Sequence, residues 1–228
     1  MSEEISRIKF CKFSFIWFYI FLLIFSLVLY GILLKYFYGR YILVSYIFHT
    51  WLAMAIIPII VLEKEKILDA LKNIRNYFSL SGMILLIYIT LLIVFGIFIR
   101  AFILRRNVYF AIPNIDLLIL LAIYAPITEE LFFRWFLQRF LKTYMKVTQA
   151  LLLASFLFSI IHIPKFLFAK EYITFSYLPS ILNNLPIYLF SLFVMGILYG
   201  YIYEETKKIG YPIVCHSLIN FILSTVRY

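Results

Sequence analysis

The feature that most constrains this chain is a series of apolar blocks, each about 20 residues long, separated by short segments that carry most of the charges. A block of that length is what an α-helix needs to cross the hydrocarbon core of a bilayer. Inside lipid, each helix satisfies its own backbone hydrogen bonds, so a chain of such blocks folds as packed spanning helices. The pattern predicts an all-α, polytopic transmembrane helical bundle with about seven spans.

The predicted spans cover residues of about 14–34, 41–62, 80–104, 117–141, 147–163, 184–203 and 211–226. Residues 63–78, after the second span, are polar with apolar side chains at helical spacing, so they are predicted to lie flat on the membrane as an amphipathic connection. The chain divides into N-terminal transmembrane helices, residues 1–114, and a core, residues 115–228, within one integrated membrane domain.

The composition supports a membrane protein and argues against a nucleic-acid partner. Hydrophobic residues make up 65% of the 228 and charged residues 14%, whereas soluble domains carry about 45–50% and about 25%. The net charge of +10 resides mostly in the short segments between blocks, where basic side chains meet anionic lipid headgroups. With the N-terminus in the cytoplasm, more of the Lys and Arg residues lie on the cytoplasmic side than outside, which predicts that orientation. The two cysteines, Cys11 and Cys215, are too few for a disulfide framework or a cysteine metal site.

Three charged residues, Glu129, Glu130 and Arg134, lie inside the apolar segment 117–141. Each charge at mid-bilayer costs about 2.5–3.5 kcal/mol on insertion scales, so such residues are candidates for function. Glu130 and Arg134 are four residues apart with the acid first, the favourable order for a helical ion pair. Glu129 is turned by about 100° and is left over. Pro126 removes a backbone donor beside it. The alternative is a structural ion pair against another helix.

His162 ends the next span and shares a polar helical face with Ser155 and Ser159. Glu129 and His162 each lie about 16 residues from the link at 145–146. In a helical hairpin both are then at one level, about 24 Å from its tip. The spacing predicts that their side chains can meet, although a histidine at a span's end is also common at the membrane interface.

His216 and Asn220 are four residues apart on the last span, on one face with Ser224. Both can donate hydrogen bonds, as an oxyanion requires. The alternative is that they only join helices by hydrogen bonds. His49, the remaining histidine, has no comparable companions, and the sequence assigns it no role.

These residues are suited to activating water. A carboxylate and a histidine can hold and deprotonate a water molecule that attacks an amide carbonyl. Glu129, His162 and His216 could equally hold a divalent metal such as zinc, and the sequence leaves both options open because it contains no His-Glu-x-x-His pattern. A proton-coupled transporter is a further alternative, since Glu and His chains also form proton relays.

The three motifs together resemble a known family. Glu129-Glu130-x-x-x-Arg134, Phe158-x-x-x-His162 and His216-x-x-x-Asn220 occur in this order on separate spans. The pattern is similar to that of the CPBP (CAAX protease and bacteriocin-processing, or Abi) intramembrane proteases, related to CAAX-prenyl endopeptidases of the Ras-converting type. The resemblance covers about residues 115–226 and implies a four-helix catalytic core.

The resemblance also implies a role for each motif residue. Glu129 would be the general base and His162 would orient the water, while His216 and Asn220 would form the oxyanion hole. Glu130, Arg134 and Phe158 would support the site. The family is also described as metalloproteases, in which case Glu129, His162 and His216 would be the ligands, but we favour the metal-free mechanism.

The expected function is hydrolysis of a membrane-associated peptide or protein, in bacteriocin or pheromone peptide processing or in self-immunity. The Lys-, Phe- and Ile-rich sequence resembles bacterial members, which implies a bacterial plasma membrane. The site is expected in a cavity reached from the cytoplasmic half. The rival interpretation is an immunity or scaffold protein of the same fold that cuts nothing.

Overall fold

The computed structural model describes residues 28–30, 32, 43–50, 52–53, 80–103, 109–111, 114–163 and 178–227. Within them, α1 covers residues 43–50 and α2 covers Leu80–Ile103. A long helix, α3, covers residues 115–141, followed by α4 at Val147–Ile160, α5 at Leu178–Thr206 and α6 at Gly210–Thr225. The described part is thus almost entirely helical, as predicted. The predicted amphipathic connection at 63–78 and most of the first span lie outside the described residues.

The α3 helix changes its hydrogen-bond register along its length. Its α-helical segments are Ile115–Ile119, Ala125–Glu130 and Arg139–Leu141, and π-helical segments at Leu120–Tyr124 and Leu131–Gln138 lie between them. Asn114 caps the start by accepting a hydrogen bond from the Asp116 amide through its side chain, 2.8 Å away. The motif glutamates therefore lie in a short α-helical segment between two wider ones, an irregularity often found at functional sites.

The α4 and α5 helices pack closely because α5 presents glycines to its neighbours. An added Cβ on Gly196 would lie 3.0 Å from the Ser155 Cβ, and one on Gly200 would lie 2.8 Å from the Gln138 Oε1. Small residues four positions apart, as in Gly196-x-x-x-Gly200, let helices approach closely.

The predicted link between the fifth and sixth spans is shorter than the sequence indicated. We expected it to run from Pro164 to Asn183, but α5 already begins at Leu178 and contains Pro186. A proline in the first turn of a helix loses no intrahelical hydrogen bond, because the first N–H groups have no partner there. Pro179 therefore marks the start of the helix rather than the middle of a link.

Two short strands join the ends of the helical core. Tyr109–Phe110 pairs antiparallel with Val226–Arg227, with Tyr109 opposite Arg227 and Phe110 opposite Val226. The Ala111 amide continues the ladder by donating to the Thr225 carbonyl at 2.8 Å. The chain thus leaves the core beside the point where it enters.

Among the described residues, one helix, Leu185–Thr206, is both long and apolar enough to cross a membrane. Val147–Ile160 is apolar but has 14 residues, or about 21 Å at 1.5 Å per residue. Large apolar side chains are exposed along α2 and α5, among them Phe95, Ile187 and Phe190, as suits a surface that faces lipid. The count of about seven spans stays a prediction.

Candidate active site

The Glu129 carboxylate is buried at the centre of the candidate site, with its residue 5% exposed. Its Oε1 lies 2.9 Å from the His49 Nε2. Its Oε2 is buried and makes no hydrogen bond within the described part of the chain. The two oxygens of one carboxylate therefore have different environments, and the second is the one available to a bound molecule.

His49, on α1, is a site residue that the sequence interpretation missed. Its Nδ1 donates to the Ser45 carbonyl oxygen at 2.7 Å, and its Nε2 faces Glu129. The interpretation that it has no companions is wrong, because its Nε2 lies 2.9 Å from the Glu129 carboxylate. The available signal was a histidine within an apolar span, which is costly unless partnered, with a serine four residues before it.

His162 reaches the other oxygen of Glu129 from the end of α4. Its Nδ1 donates to the Phe158 carbonyl oxygen at 2.9 Å, and its Nε2 lies 3.9 Å from the Glu129 Oε2. The Phe158 ring packs edge-on against the His162 ring, with centroids 5.0 Å apart. The hairpin of α3 and α4 thus brings together the acid and the histidine that the sequence placed at one level.

Glu130 is fully buried and accepts two hydrogen bonds. The Arg134 Nε donates to its Oε2 at 3.1 Å, and the His216 Nδ1 donates to its Oε1 at 2.9 Å. The guanidinium of Arg134 lies 5.1 Å from the centre of the Phe158 ring, a cation–π contact. Its Nη1 and Nη2 are buried and make no hydrogen bond within the described residues. Glu130 and Arg134 pair as expected, and Glu129 is left for other partners.

His216, on α6, connects the two glutamates. Because its Nδ1 donates to Glu130, its Nε2 is turned towards Glu129 and lies 3.9 Å from the Oε2. The Tyr199 ring stacks on the His216 ring, with centroids 4.6 Å apart and planes 18° apart. The stacking and the hydrogen bond together fix the orientation of the imidazole.

Asn220 is held by a backbone carbonyl that Pro126 leaves free. In the π-helical segment the Ala125 amide donates to the Leu120 carbonyl, five residues back. The next amide in this register would serve Leu121, but Pro126 has no N–H. The Asn220 Nδ2 donates to the Leu121 carbonyl instead, at 2.9 Å. Asn220 therefore has a structural partner, and its amide has one further N–H to offer.

A cavity of about 280 Å³ joins these groups. Its polar lining consists of Ser45, His49, Glu129, His162, His216, Asn220 and Ser224. Its apolar walls include Phe48, Leu120, Tyr188, Leu192, Met195 and Leu223. Polar groups converge at one part of an otherwise apolar pocket, which is the common form of a small binding site.

Comparison with known protein families identifies the part of the chain that carries most of this site. The family described as Type II CAAX prenyl endopeptidase Rce1-like matches residues 111–222. The chain carries a domain of this family. The resemblance to intramembrane proteases that the three motifs indicated is thereby confirmed. Curated proteins and solved structures gave no match to the chain.

The Rce1-like domain contains every motif residue, but it does not contain the whole cavity. Glu129, His162, His216 and Asn220 lie within residues 111–222, whereas Ser45, Phe48 and His49 come from α1. Members of the family are embedded in the membrane and include proteases, so the chain is related to proteases of membrane-associated peptides or proteins.

A metal ion in the Rce1-like site requires at least three ligands about 2.0–2.2 Å from it. No three His, Cys, Asp or Glu side chains in the described ranges lie close enough together to hold one. The Nε2 atoms of His162 and His216 are each 3.9 Å from the Glu129 Oε2. As they stand, these described side chains do not form a ligand set for a metal ion.

A water molecule fits the same separation. Two polar atoms 3.9 Å apart can both lie about 2.8 Å from one bridging oxygen. Such a water would accept from or donate to His162 and donate to the Glu129 Oε2, which makes no hydrogen bond among the described residues. The arrangement can therefore hold a water between Glu129 and His162, in the cavity that His216 and Asn220 also line.

Proposed function

We propose that this protein is an intramembrane endopeptidase that hydrolyses a peptide bond by water activated at Glu129. The observation that carries the proposal is the buried Glu129 Oε2, without a hydrogen bond among the described residues and 3.9 Å from the Nε2 atoms of His162 and His216. A buried carboxylate oxygen without a partner is costly. A reactant that enters the cavity supplies that partner.

The first step is the attack of water on the scissile carbonyl. Glu129 takes one water proton, and the oxygen of the water forms a bond to the carbonyl carbon while His162 holds that water in place. The carbonyl oxygen becomes an oxyanion. His216 donates to it through Nε2 when the ring carries both protons, while its Nδ1 stays bonded to Glu130. Asn220 donates with its second amide N–H.

The second step breaks the C–N bond. The proton held by Glu129 passes to the departing amine, so Glu129 acts first as base and then as acid. The products are a new amine and a new carboxylic acid, and the site returns to its starting state. No protein nucleophile and no covalent intermediate are needed.

The proposed substrate is a peptide or protein within or at the membrane. The apolar walls of the cavity suit an apolar segment, and the polar groups at Glu129 suit a single peptide bond. We further propose that the protein lies in a bacterial plasma membrane with its N-terminus in the cytoplasm, its cavity open to the cytoplasmic half. Its role there would be bacteriocin or pheromone peptide processing or self-immunity.

The test reconstitutes the purified protein in proteoliposomes with the membrane peptides and proteins of the host cell. Mass spectrometry counts new peptide termini with time. We expect wild-type protein to create a defined set of termini and Glu129→Gln to create none, a loss of at least about 100-fold. Glu205→Gln, which changes an exposed carboxylate on α5, is the matched control and should keep the wild-type rate.

An immunity assay in cells separates the protease from a scaffold. Full protection by correctly inserted Glu129→Gln would show that the protein acts by binding alone. Proton flux into liposomes that needs no peptide and disappears with Glu129→Gln would instead identify a transporter. Either result, with no new termini, would overturn the proposed function.

A further inference from the structure

We infer that His49, which lies outside the Rce1-like domain, is a positioning residue of this active site. It holds the Glu129 Oε1 and so leaves the Oε2 as the oxygen that receives the water proton. This inference rests on the proposed function, because it assigns His49 a role only where Glu129 is the base. It extends the site to α1, at residues 43–50.

The first support is the direction of the hydrogen bonds at the ring. The Ser45 carbonyl can only accept, so the His49 Nδ1 carries a proton and donates it over 2.7 Å. The Nε2 then lies 2.9 Å from a carboxylate oxygen, a hydrogen-bond distance that requires one proton between the two atoms. The imidazole is therefore aligned at both nitrogens, and it fixes one of the two oxygens of Glu129.

The second support is the way α1 packs on α3. Side chains at positions 46, 49 and 50 lie on one helical face, and all three contact α3. The Tyr46 hydroxyl donates to the Asp116 carbonyl at 3.2 Å, and the Thr50 Oγ1 lies 2.8 Å from the Tyr124 hydroxyl. The face that attaches α1 to α3 thus carries His49 directly to Glu129.

The third support is burial. His49 is 7% exposed, and its ring lies edge-on against the Phe48 ring, with centroids 5.3 Å apart. A histidine so enclosed within an apolar helix is costly unless it has a partner. Its partners here are a backbone carbonyl of its own helix and the proposed catalytic base, so the ring has little freedom to turn away from Glu129.

The activity test compares three variants in the terminus-forming assay, with the fastest-cut peptide synthesised as the defined substrate. His49→Phe keeps an aromatic ring and removes the hydrogen-bonding nitrogen, so kcat should fall about 10- to 100-fold with KM within about twofold. His49→Gln places an amide nitrogen near the original Nε2 and should restore most of kcat. Tyr46→Phe removes a hydrogen bond from the same helix face and should keep the wild-type kcat.

A second measurement needs no substrate. The chain has three histidines, so nitrogen NMR of histidine-labelled protein can be assigned by replacing His162 and His216 in turn. We expect Glu129→Gln to shift the His49 Nε2 resonance, while Tyr46→Phe leaves it in place. An unchanged His49 resonance in Glu129→Gln would overturn the inference directly.

The outcomes separate this inference from the proposed function. Active wild-type protein with full kcat in His49→Phe overturns the inference and leaves the proposed function standing. Equal losses of kcat in His49→Phe and Tyr46→Phe, or no recovery in His49→Gln, show that α1 serves only for packing and also overturn it. A wild-type protein that cuts nothing overturns both, even where the NMR coupling between His49 and Glu129 is present.

Discussion

The two adjacent glutamates differ because their partners differ. Glu130 receives donors on both oxygens, from Arg134 and His216, and is fully buried. Glu129 receives its contact on one oxygen, from His49, and presents the other to the cavity. A single residue of displacement along α3 thus separates a carboxylate held on both oxygens from the one that we propose as the base.

Replacement of Arg134 should lower the free energy of unfolding more than replacement of a charged side chain at the surface. Arg134→Leu leaves the Glu130 carboxylate buried without its ion pair, which costs about 3–5 kcal/mol in such sites. Lys207→Gln, at a side chain that is 67% exposed beside Glu204, should cost less than about 1 kcal/mol. Thermal unfolding in detergent measures both variants.

The control for that prediction removes the acid as well. Arg134→Leu with Glu130→Leu leaves no uncompensated charge, so the double variant should be more stable than Arg134→Leu alone. A double variant that is as unstable as the sum of its parts would show that the two side chains do not act as a pair.

The sequence predicts the relative positions of some site residues but not of others. Glu129 and His162 lie on consecutive helices, so their distances from one link set their relative depth. His49 and Glu129 are separated by 80 residues, and their meeting depends on how α1 packs on α3. Spacing along the chain carries no information on that packing, which is why the sequence left His49 without a role.

Among the helices, α3 depends on a side chain from α6 to complete its backbone hydrogen bonds. Pro126 withholds an N–H from the Leu121 carbonyl, and Asn220 supplies one. The missing donor could be read from the sequence. The residue that replaces it, and the two π-helical segments on either side of the glutamates, could not, because they follow from the fit of neighbouring helices.

A double-mutant cycle tests this replacement. Asn220→Ala should destabilise the protein by about 1–3 kcal/mol, because it leaves a partly buried carbonyl without this partner. In a Pro126→Ala background the helix has its own N–H, so the same change should cost about 1 kcal/mol less. Costs that agree within about 0.3–0.5 kcal/mol would contradict the coupling. Activity should stay low in both backgrounds, since neither restores the oxyanion donor that we propose for Asn220.

Replacement of Gly196 by alanine should destabilise the packing of α4 against α5. The added Cβ would lie 3.0 Å from the Ser155 Cβ and 3.1 Å from its Cα, and a backbone atom cannot easily yield. We expect Gly196→Ala to lower the free energy of unfolding, measured by thermal unfolding, by about 1–3 kcal/mol. Gly96→Ala is the matched control, because its Cβ would have open space around it and alanine favours the helix by up to about 1 kcal/mol. Equal stability of the two variants would contradict this packing.

For the whole molecule, the metal-free mechanism predicts activity without bound metal. Complete removal of metal by chelation, verified by elemental analysis, should change the rate of terminus formation by less than about twofold, because Glu129 and the histidines activate water by themselves. Loss of activity that zinc restores would instead assign Glu129, His162 and His216 as ligands.

For the whole molecule too, the sequence predicted best those features that depend on composition or on the spacing of nearby residues. Apolar blocks predicted helices, and the motifs predicted the family that matches residues 111–222. The cavity needed the structure, since Tyr188, Leu192 and Met195 on α5 line it together with α1, α3, α4 and α6. The spacing of residues along one helix does not indicate which helices will line a cavity together.

The pairing of Tyr109–Phe110 with Val226–Arg227 holds the two ends of the core segment side by side. Opposed residues in such a pair are about 5 Å apart, so the segment between them can be exchanged between proteins as one module without stretching its flanks. Such an exchange must also keep the contact that α1 makes with the core. His49 makes that contact with Glu129, so a core moved without a matching α1 loses this partner of its buried carboxylate.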